Sequence, residues 1–227
     1  IKGSLTITSP NGGEIWIVGE SRDITWSKTG SIANVKLEYS TNAFSDETET
    51  VVITSSTPAA DLSYPWTVPD AIGTNLKVRI TDTNDATVTD VSDDPFIIKG
   101  SLDLTSPDGG EIWIVGETRN ITWSRTGSIA YVKLEYSTDS GVTYPNVITS
   151  STDASTGSYA WTVPDAVGTT LRVKVTDTSD SSVYDTSSAD FEIKPSLTLT
   201  QPNGGEVWTV ENTYDITWET TGTISTV

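Results

Sequence analysis

The sequence predicts an all-β chain built as tandem antiparallel β-sandwiches. Three observations lead there. One set of residues recurs at a fixed interval, apolar residues alternate with polar ones at period two, and turn residues punctuate the alternation every few positions. The recurring block is Pro10-Asn11-Gly12-Gly13-Glu14-Ile15-Trp16. It returns as Pro107-Asp108-Gly109-Gly110-Glu111-Ile112-Trp113 and as Pro202-Asn203-Gly204-Gly205-Glu206-Val207-Trp208. Such self-similarity marks a tandem array. Asp23-Ile24-Thr25-Trp26, Asn120-Ile121-Thr122-Trp123 and Asp215-Ile216-Thr217-Trp218 keep the same register. So do Trp66-Thr67-Val68-Pro69-Asp70 and Trp161-Thr162-Val163-Pro164-Asp165.

The strands follow in order. Val35-Lys36-Leu37-Glu38-Tyr39 and Leu76-Lys77-Val78-Arg79-Ile80 place apolar side chains on one face and charges on the other, the mark of a half-buried strand. The second copy repeats both at 132–136 and 171–175. Further strands are expected at 5–8, 14–18, 22–27, 50–54, 63–68 and 95–98. Asn11-Gly12-Gly13, Thr29-Gly30, Pro69-Asp70 and Asn84-Asp85 separate them. About seven or eight short antiparallel strands in one repeat predict an immunoglobulin-like or fibronectin-III-like sandwich. The expected domains are residues 1–98, residues 99–194, and residues 195–227 as the N-terminal third of another copy. The junctions at Lys99-Gly100-Ser101 and Lys194-Pro195-Ser196 are short, and Pro195 fixes φ. A semi-rigid array is therefore expected, advancing very roughly 35–45 Å per domain. Ile1-Lys2-Gly3-Ser4-Leu5 matches the junction Ile98-Lys99-Gly100-Ser101-Leu102. The expectation is an excerpt from a longer array, or a third copy completed by strands of another chain.

Composition narrows the function classes. The 227 residues contain no Cys, Met or His, and the formal net charge is -18. Disulfide and thiol chemistry are absent, and so is the usual neutral-pH acid–base group. The acidic balance argues against nucleic-acid binding and against anionic membranes. No apolar stretch has the length of a membrane span. An acidic, Ser/Thr-rich, Lys-poor surface suits an extracellular or cell-surface setting.

The pattern P-[ND]-G-G-E-x-W-x-x-G-x-x-x-x-I-x-W runs from Pro10 through Gly19 to Ile24 and Trp26, and from Pro107 through Gly116 to Ile121 and Trp123. It resembles the Ig-like domain of the yeast cell-wall-synthesis and Ser/Thr-rich GPI-anchored family. The third copy departs from it, with Glu211 where Gly19 and Gly116 stand. The resemblance covers essentially the whole chain. It implies a stalk, adhesin or fibre building block of the kind arrayed in large prokaryotic surface proteins, and no catalytic residues.

Candidate sites are weighed against their structural reading. Gly12-Gly13 precedes a strand and lacks the Lys of a phosphate loop, so turn geometry accounts for it. Trp26, Trp123 and Trp218 alternate with Ile and read as core anchors. Trp16 and Trp113 lie on a strand that is apolar on both faces. Together with Tyr64 and Tyr159 they are the residues a glycan-binding module would use. Asp82, Asp85 and Asp90 crowd one end of the first repeat, as Asp177, Asp180 and Asp185 do in the second. They are the candidate Ca²⁺ ligands, since Ca²⁺ takes six to eight oxygens; turn capping by Asp is the competing reading. Ser137–Tyr144 resembles an Asp-box hairpin, and Asn120-Ile121-Thr122 is a sequon the other copies lack. Two carboxylates suffice for glycoside hydrolysis, but Glu14, Glu111 and Glu206 recur once per repeat at a turn rather than in one pocket. The functional expectation is a non-catalytic structural segment of an extracellular stalk, fibre or surface protein, with no cofactor unless Ca²⁺. Its partners would be neighbouring repeats, other copies of the chain in a fibre, or cell-surface glycans. The alternative is a glycan-binding adhesive module.

Overall fold

The computed structural model describes residues 2–226, so Ile1, expected as the end of an earlier strand, lies outside the described residues. The chain divides into two compact units, residues 1–101 with 126–128 and residues 102–125 with 129–227.

In the first unit the strands are β1 (Ser4–Ser9), β2 (Ile15–Ile17), β3 (Ser21–Thr29), β4 (Asn34–Ser40), β5 (Thr50–Pro58), β6 (Ser63–Thr67), β7 (Gly73–Asp82), β8 (Thr89–Val91) and β9 (Phe96–Lys99). One sheet has the order β1-β3-β6. The other runs β2-β9-β7-β4-β5, with β8 on β7. β2 pairs with β9 in parallel, whereas β1 pairs with β3 antiparallel. The chain thus changes sheet between β1 and β2, and the Pro10-Asn11-Gly12-Gly13 block is where it crosses. Ser9–Pro10 is a cis peptide, as are Ser106–Pro107 and Gln201–Pro202. Gly12 has φ 138°, and a Cβ there would stand 2.5 Å from the Asp94 Cβ. Only glycine fits both demands.

The alternation expected from sequence sets the core. Val35, Leu37 and Tyr39 from β4 and Leu76, Val78 and Ile80 from β7 are buried, and they meet Leu5, Ile7, Ile24, Trp26 and Trp66 from the facing sheet. Trp16, Trp66 and Phe96 form an aromatic cluster, with Trp16 and Phe96 centroids 5.1 Å apart and Trp16 and Trp66 edge-on at 5.8 Å. Such pairs contribute about 0.5–1.5 kcal/mol each beyond area burial. Trp26 satisfies its indole by donating to the Ala59 carbonyl at 3.1 Å, as a buried Trp requires.

The second unit repeats this plan with β10 (Ser101–Ser106), β11 (Ile112–Ile114), β12 (Thr118–Thr126), β13 (Tyr131–Ser137), β14 (Asn146–Asp153), β15 (Ser158–Thr162), β16 (Gly168–Asp177), β17 (Tyr184–Thr186) and β18 (Phe191–Lys194). The sheets are β10-β12-β15 and β11-β18-β16-β13-β14, with β17 on β16. Its core is separate and draws only on residues from Leu102 to Ile193. Trp123 again donates to a carbonyl, that of Ala154 at 3.0 Å. This is the tandem sandwich expected. The short β8 and β17 were not anticipated.

The third copy contributes β19 (Ser196–Gln201) and β20 (Thr217–Thr221), an antiparallel pair that belongs to the second unit. Leu197, Leu199, Ile216 and Trp218 are exposed there, although their counterparts in both full copies are buried. Trp218, expected as a core anchor, is therefore not one here, because among the described residues no second sheet faces the β19–β20 pair. Glu211 adopts φ 70°, close to the 83° of Gly19 and Gly116. The left-handed turn survives the substitution at a cost of about 1–2 kcal/mol.

Candidate functional site

The polar residues that recur between repeats are engaged in holding turns and crossings. Glu14 accepts from the amides of Asn11 and Gly12, both at 2.8 Å. Glu111 accepts from Asp108 and Gly109 at 2.7 and 2.8 Å, and Glu206 from Asn203 and Gly204 at 2.6 and 2.7 Å. The Asn203 amide, then the Glu206 amide and last that of Gly204 hold the Glu206 carboxyl below the usual carboxylate range. The carboxylate of the repeated motif is thus a clamp on its own turn. Ser92, 1% exposed, donates to the Pro10 carbonyl at 2.8 Å and accepts from the Val78 amide at 3.0 Å. Ser187 makes the same pair with Pro107 and Val173 at 2.7 and 2.9 Å. Sequence reading missed these serines, since nothing distinguishes them in a Ser/Thr-rich chain.

The Ca²⁺ candidates are not brought together. Asp82 Oδ1 accepts from the Asn84 amide at 2.9 Å, and Asp177 Oδ1 from Ser179 at 2.8 Å. Asp85 accepts the amide and hydroxyl of Thr87 at 3.0 and 2.6 Å and pairs with Lys2 at 3.2 Å. Asp180 accepts the amide and hydroxyl of Ser182 at 3.0 and 2.6 Å. Asp90 accepts from the Ile7 amide and Asp185 from the Leu104 amide, each at 2.7 Å, tying β8 and β17 to the opposite sheet. Among the described residues no group of three acidic side chains is placed to hold a metal ion. Asp82, Asp85, Asp177 and Asp180 each cap an amide two residues on, which is what short Asp side chains do in turns.

The glycan candidates are placed inward. Trp16 and Trp113 are each 5% exposed, and Tyr64 and Tyr159 are half-buried against their cores. A buried ring has no face for a sugar, so Trp16 and Trp113 are core residues, not platforms. The apolar second face of their strands is carried by Ile15 and Ile112, both about half exposed.

A shallow open groove lies on the outer face of the larger sheet in each repeat. In the first unit it measures about 460 Å³ and lies over Lys36, Glu38, Arg79, Thr81 and Thr89. The register explains this set. Glu38 is opposite Arg79 and Lys36 opposite Thr81, which in turn is opposite Thr89, so all share one face. Glu38 is 5% exposed and is bridged by Arg79 at 3.0 Å and Lys36 at 2.5 Å. Arg79 extends the network to Glu47 at 2.8 Å and lies 4.5 Å over the Phe44 ring. The Glu47 hydrogen bond and the Glu38 charge hold the guanidinium above its ordinary value.

The matching groove of the second unit measures about 320 Å³. Lys133 bridges Glu135 at 2.5 Å as before, but Lys174 replaces Arg79 and lies 4.3 Å over the exposed Tyr184, which stands where Thr89 stands. Thr81 bonds Thr89 at 3.0 Å. Thr176 has lost that partner, and its buried hydroxyl has no protein bond. Glu38 and Glu135 are held by cations and Asp82 and Asp177 by turn amides, so these groove carboxylates are already engaged.

No protein-family model matches the chain, and no curated protein matches it. Among solved structures it is similar to the fibronectin(III)-like modules of Clostridium thermocellum CbhA, at 20% identity over 84% of this chain and 94% of that one, with a TM-score of 0.29. It is also similar to a chimeric titin Z1Z2-Z1Z2 tandem, at 18% identity over 83% and 98%, TM-score 0.29. A third is the N-terminal four Ig domains of Dscam1 isoform 6.9, at 10% identity over 86% of this chain and 46% of that chain, TM-score 0.38. The assignment to an Ig-like sandwich rests on the strand order and pairing described above.

Proposed function

We propose that the chain is a non-catalytic structural segment of an extracellular stalk, fibre or surface protein, and that its work is mechanical spacing by successive Ig-like domains. One observation carries this reading: the recurring polar and aromatic residues at the crossing turn and in the core hold the fold, whereas the cation network on the outer face differs between the copies. Glu14 and Glu111 clamp the crossing turn, Ser92 and Ser187 bridge it, and Trp26 and Trp123 anchor the core. By contrast, Arg79 with Glu47 and Phe44 gives way to Lys174 with Tyr184. A segment selected for one ligand per repeat would keep its groove and let its scaffold drift.

The domains of this reading are residues 1–98, residues 99–194, and the partial copy 195–227. They are of the kind the repeated motif resembles in the yeast cell-wall-synthesis and Ser/Thr-rich GPI-anchored family. Neighbouring repeats, in this chain or in other copies within a fibre, are its partners. The acidic, Ser/Thr-rich and Lys-poor surface suits an extracellular position. In such an array nearest neighbours set pitch and stiffness. Small-angle scattering of residues 1–227 tests it. The expected result is an elongated particle of constant maximum dimension across salt concentrations. A broad distribution typical of freely jointed globules refutes it.

A further inference from the structure

The Val-Pro-Asp segment that follows β6 and β15, the edge strands of the three-stranded sheets, has no role in the core beyond its valine, yet it recurs with its aspartate intact. In the second unit Asp165 is exposed and accepts two bonds from one residue. The Thr223 amide lies 2.9 Å from Oδ1, and the Thr223 hydroxyl lies 2.6 Å from Oδ2. In the first unit, which includes residues 126–128, Asp70 makes the same pair. Its Oδ1 accepts from the Ser128 amide at 3.0 Å and its Oδ2 from the Ser128 hydroxyl. Both donor residues, Ser128 and Thr223, follow a left-handed glycine, Gly127 at φ 83° and Gly222 at φ 85°.

A side chain on either glycine would be both strained and crowded. A Cβ on Gly127 would stand 3.1 Å from Ile72 Cδ1 and Val18 Cγ2, and 3.3 Å from Asp70 Oδ1. One on Gly222 would stand 2.8 Å from Val115 Cγ2 and 3.3 Å from Asp165 Oδ1. The surface they meet is preformed. Gly19 donates to the Val68 carbonyl and Val68 back to Glu20, and Gly116 and Val163 do the same, so the Val-Gly-Glu and Val-Pro-Asp turns are held side by side.

We infer that these paired turns form a docking plate for a Thr-Gly-[Ser/Thr] plug, with Asp70 and Asp165 as the anchoring carboxylates. Thr29-Gly30-Ser31 is a third plug, and it fits the same plate on a further repeat of this kind. The inference rests on the array reading and names the contact by which such repeats recognise one another. Thr29-Gly30-Ser31 has the plug sequence, Gly30 is left-handed at φ 71°, and Gly30 and Ser31 are exposed. A carboxylate bonded by an amide and a hydroxyl at once is a charge-assisted, two-point contact. It selects for direction as well as strength, because the plug and the plate sit on different parts of the repeat.

Amide hydrogen exchange on the full 227-residue chain tests this. The Thr223 and Ser128 amides are expected to exchange at least about tenfold more slowly than an open turn. Asp165→Ala is expected to abolish the protection at Thr223 and leave Val173 unchanged, and Asp70→Ala to act in the same way on Ser128 with Val78 unchanged. Unaltered core protection shows that each variant is folded. If Thr223 and Ser128 exchange as open turns in the parent chain, or keep their protection in the variants, the plate is refuted. The scattering result for the array stands or falls separately. Joining a further copy of residues 99–194 ahead of the chain is expected to protect the Ser31 amide, and to do so only when the copy carries the aspartate equivalent to Asp165. Unchanged exchange at Ser31 overturns the third plug.

Discussion

Replacing Ser92 by Ala removes one oxygen and leaves two backbone groups stranded. The Ser92 hydroxyl donates to Pro10 at 2.8 Å and accepts from the Val78 amide at 3.0 Å, in a site where the side chain is 1% exposed. No solvent reaches that site to replace the lost bonds. A buried backbone group left unsatisfied costs about 1–3 kcal/mol. With two groups affected and partial relaxation of the crossing, the expected loss is about 2–4 kcal/mol. For a domain near 100 residues this lowers Tm by on the order of 10–25 °C. The two cores are disjoint, so the loss falls on one of two unfolding transitions. Ser92→Ala lowers the first unit's transition and Ser187→Ala the second's. Differential scanning calorimetry with urea titration, read through the separate tryptophans of each core, measures both. A change below about 0.5 kcal/mol in both variants, the level of an ordinary surface substitution, refutes the claim that these serines hold the sheet crossing. A single shared transition shifted equally by either variant refutes the independence of the two cores.

Other perturbations separate the repeats in different ways. Arg79→Ala leaves the buried Glu38 with Lys36 alone, and is expected to destabilise the first unit by about 1–3 kcal/mol in urea titration. Lys174→Ala, which removes a cation lying over the exposed Tyr184 ring, is expected to change the second unit's stability by about 0.5–1 kcal/mol. Asp139 accepts from Ser137 and Thr143, and the Ser137 hydroxyl first, then Thr143, lowers its pKa from 3.8 to about 2. Its folded-state value is depressed, so the stabilisation is complete above pH 3.8 and is lost as pH falls through about 2. A carboxyl-carbon NMR titration gives that midpoint directly, and Asp139→Asn is expected to flatten the second transition's pH dependence in the same window; an ordinary midpoint near 3.8 contradicts it. Calorimetric titration with Ca²⁺ is expected to give no heat and no change in either transition, because Asp82, Asp85 and Asp90 face different amides; a saturable signal abolished by Asp85→Asn reverses that expectation.

The architecture was legible in the sequence because an Ig-like sandwich is written in two signals that survive on one line. These are period-two alternation, as in Val35-Lys36-Leu37-Glu38-Tyr39, and turn chemistry, as in Asn11-Gly12-Gly13. Both are local, and the tandem repeats showed each of them twice. Burial on an ambiguous strand was not legible. Ile15-Trp16-Ile17 is apolar on both faces, and only the parallel pairing of β2 with β9 decides that Trp16 turns inward and Ile15 outward. The aspartates failed as site predictors for a related reason. Crowding in sequence does not imply convergence in space, because a short carboxylate most readily reaches an amide two residues on, as Asp82 and Asp85 do. Asp90 and Asp185 do reach across the fold, but toward a strand amide and not toward one another. Ser92 and Ser187 left no trace at all, since their importance lies in burial.

The groove residues show why a repeat array is easier to read for fold than for binding. Glu38 and Glu135 occupy one register position, and each is bridged by a lysine two residues away, Lys36 and Lys133. That pair is fold-holding and it recurs. One rung away the copies part, with Thr89 in one and Tyr184 in the other. The exchange orphans the Thr176 hydroxyl at a cost of about 1–3 kcal/mol. The replacement places an exposed ring under Lys174 and recovers about 0.5–1 kcal/mol at an exposed site. The Thr81–Thr89 bond of the first unit is exposed, whereas in the second the same hydroxyl is buried without a partner, so the exchange alters the chemistry of this face more than it serves stability. Repeat-specific surface chemistry in this chain is therefore to be sought on the outer face of β16 and β17, where Tyr184→Thr is expected to restore the Thr176 partner and raise the second unit's transition. A lowered transition would mean that the ring contributes more than the lost bond, and that the two grooves differ by stability and not by use.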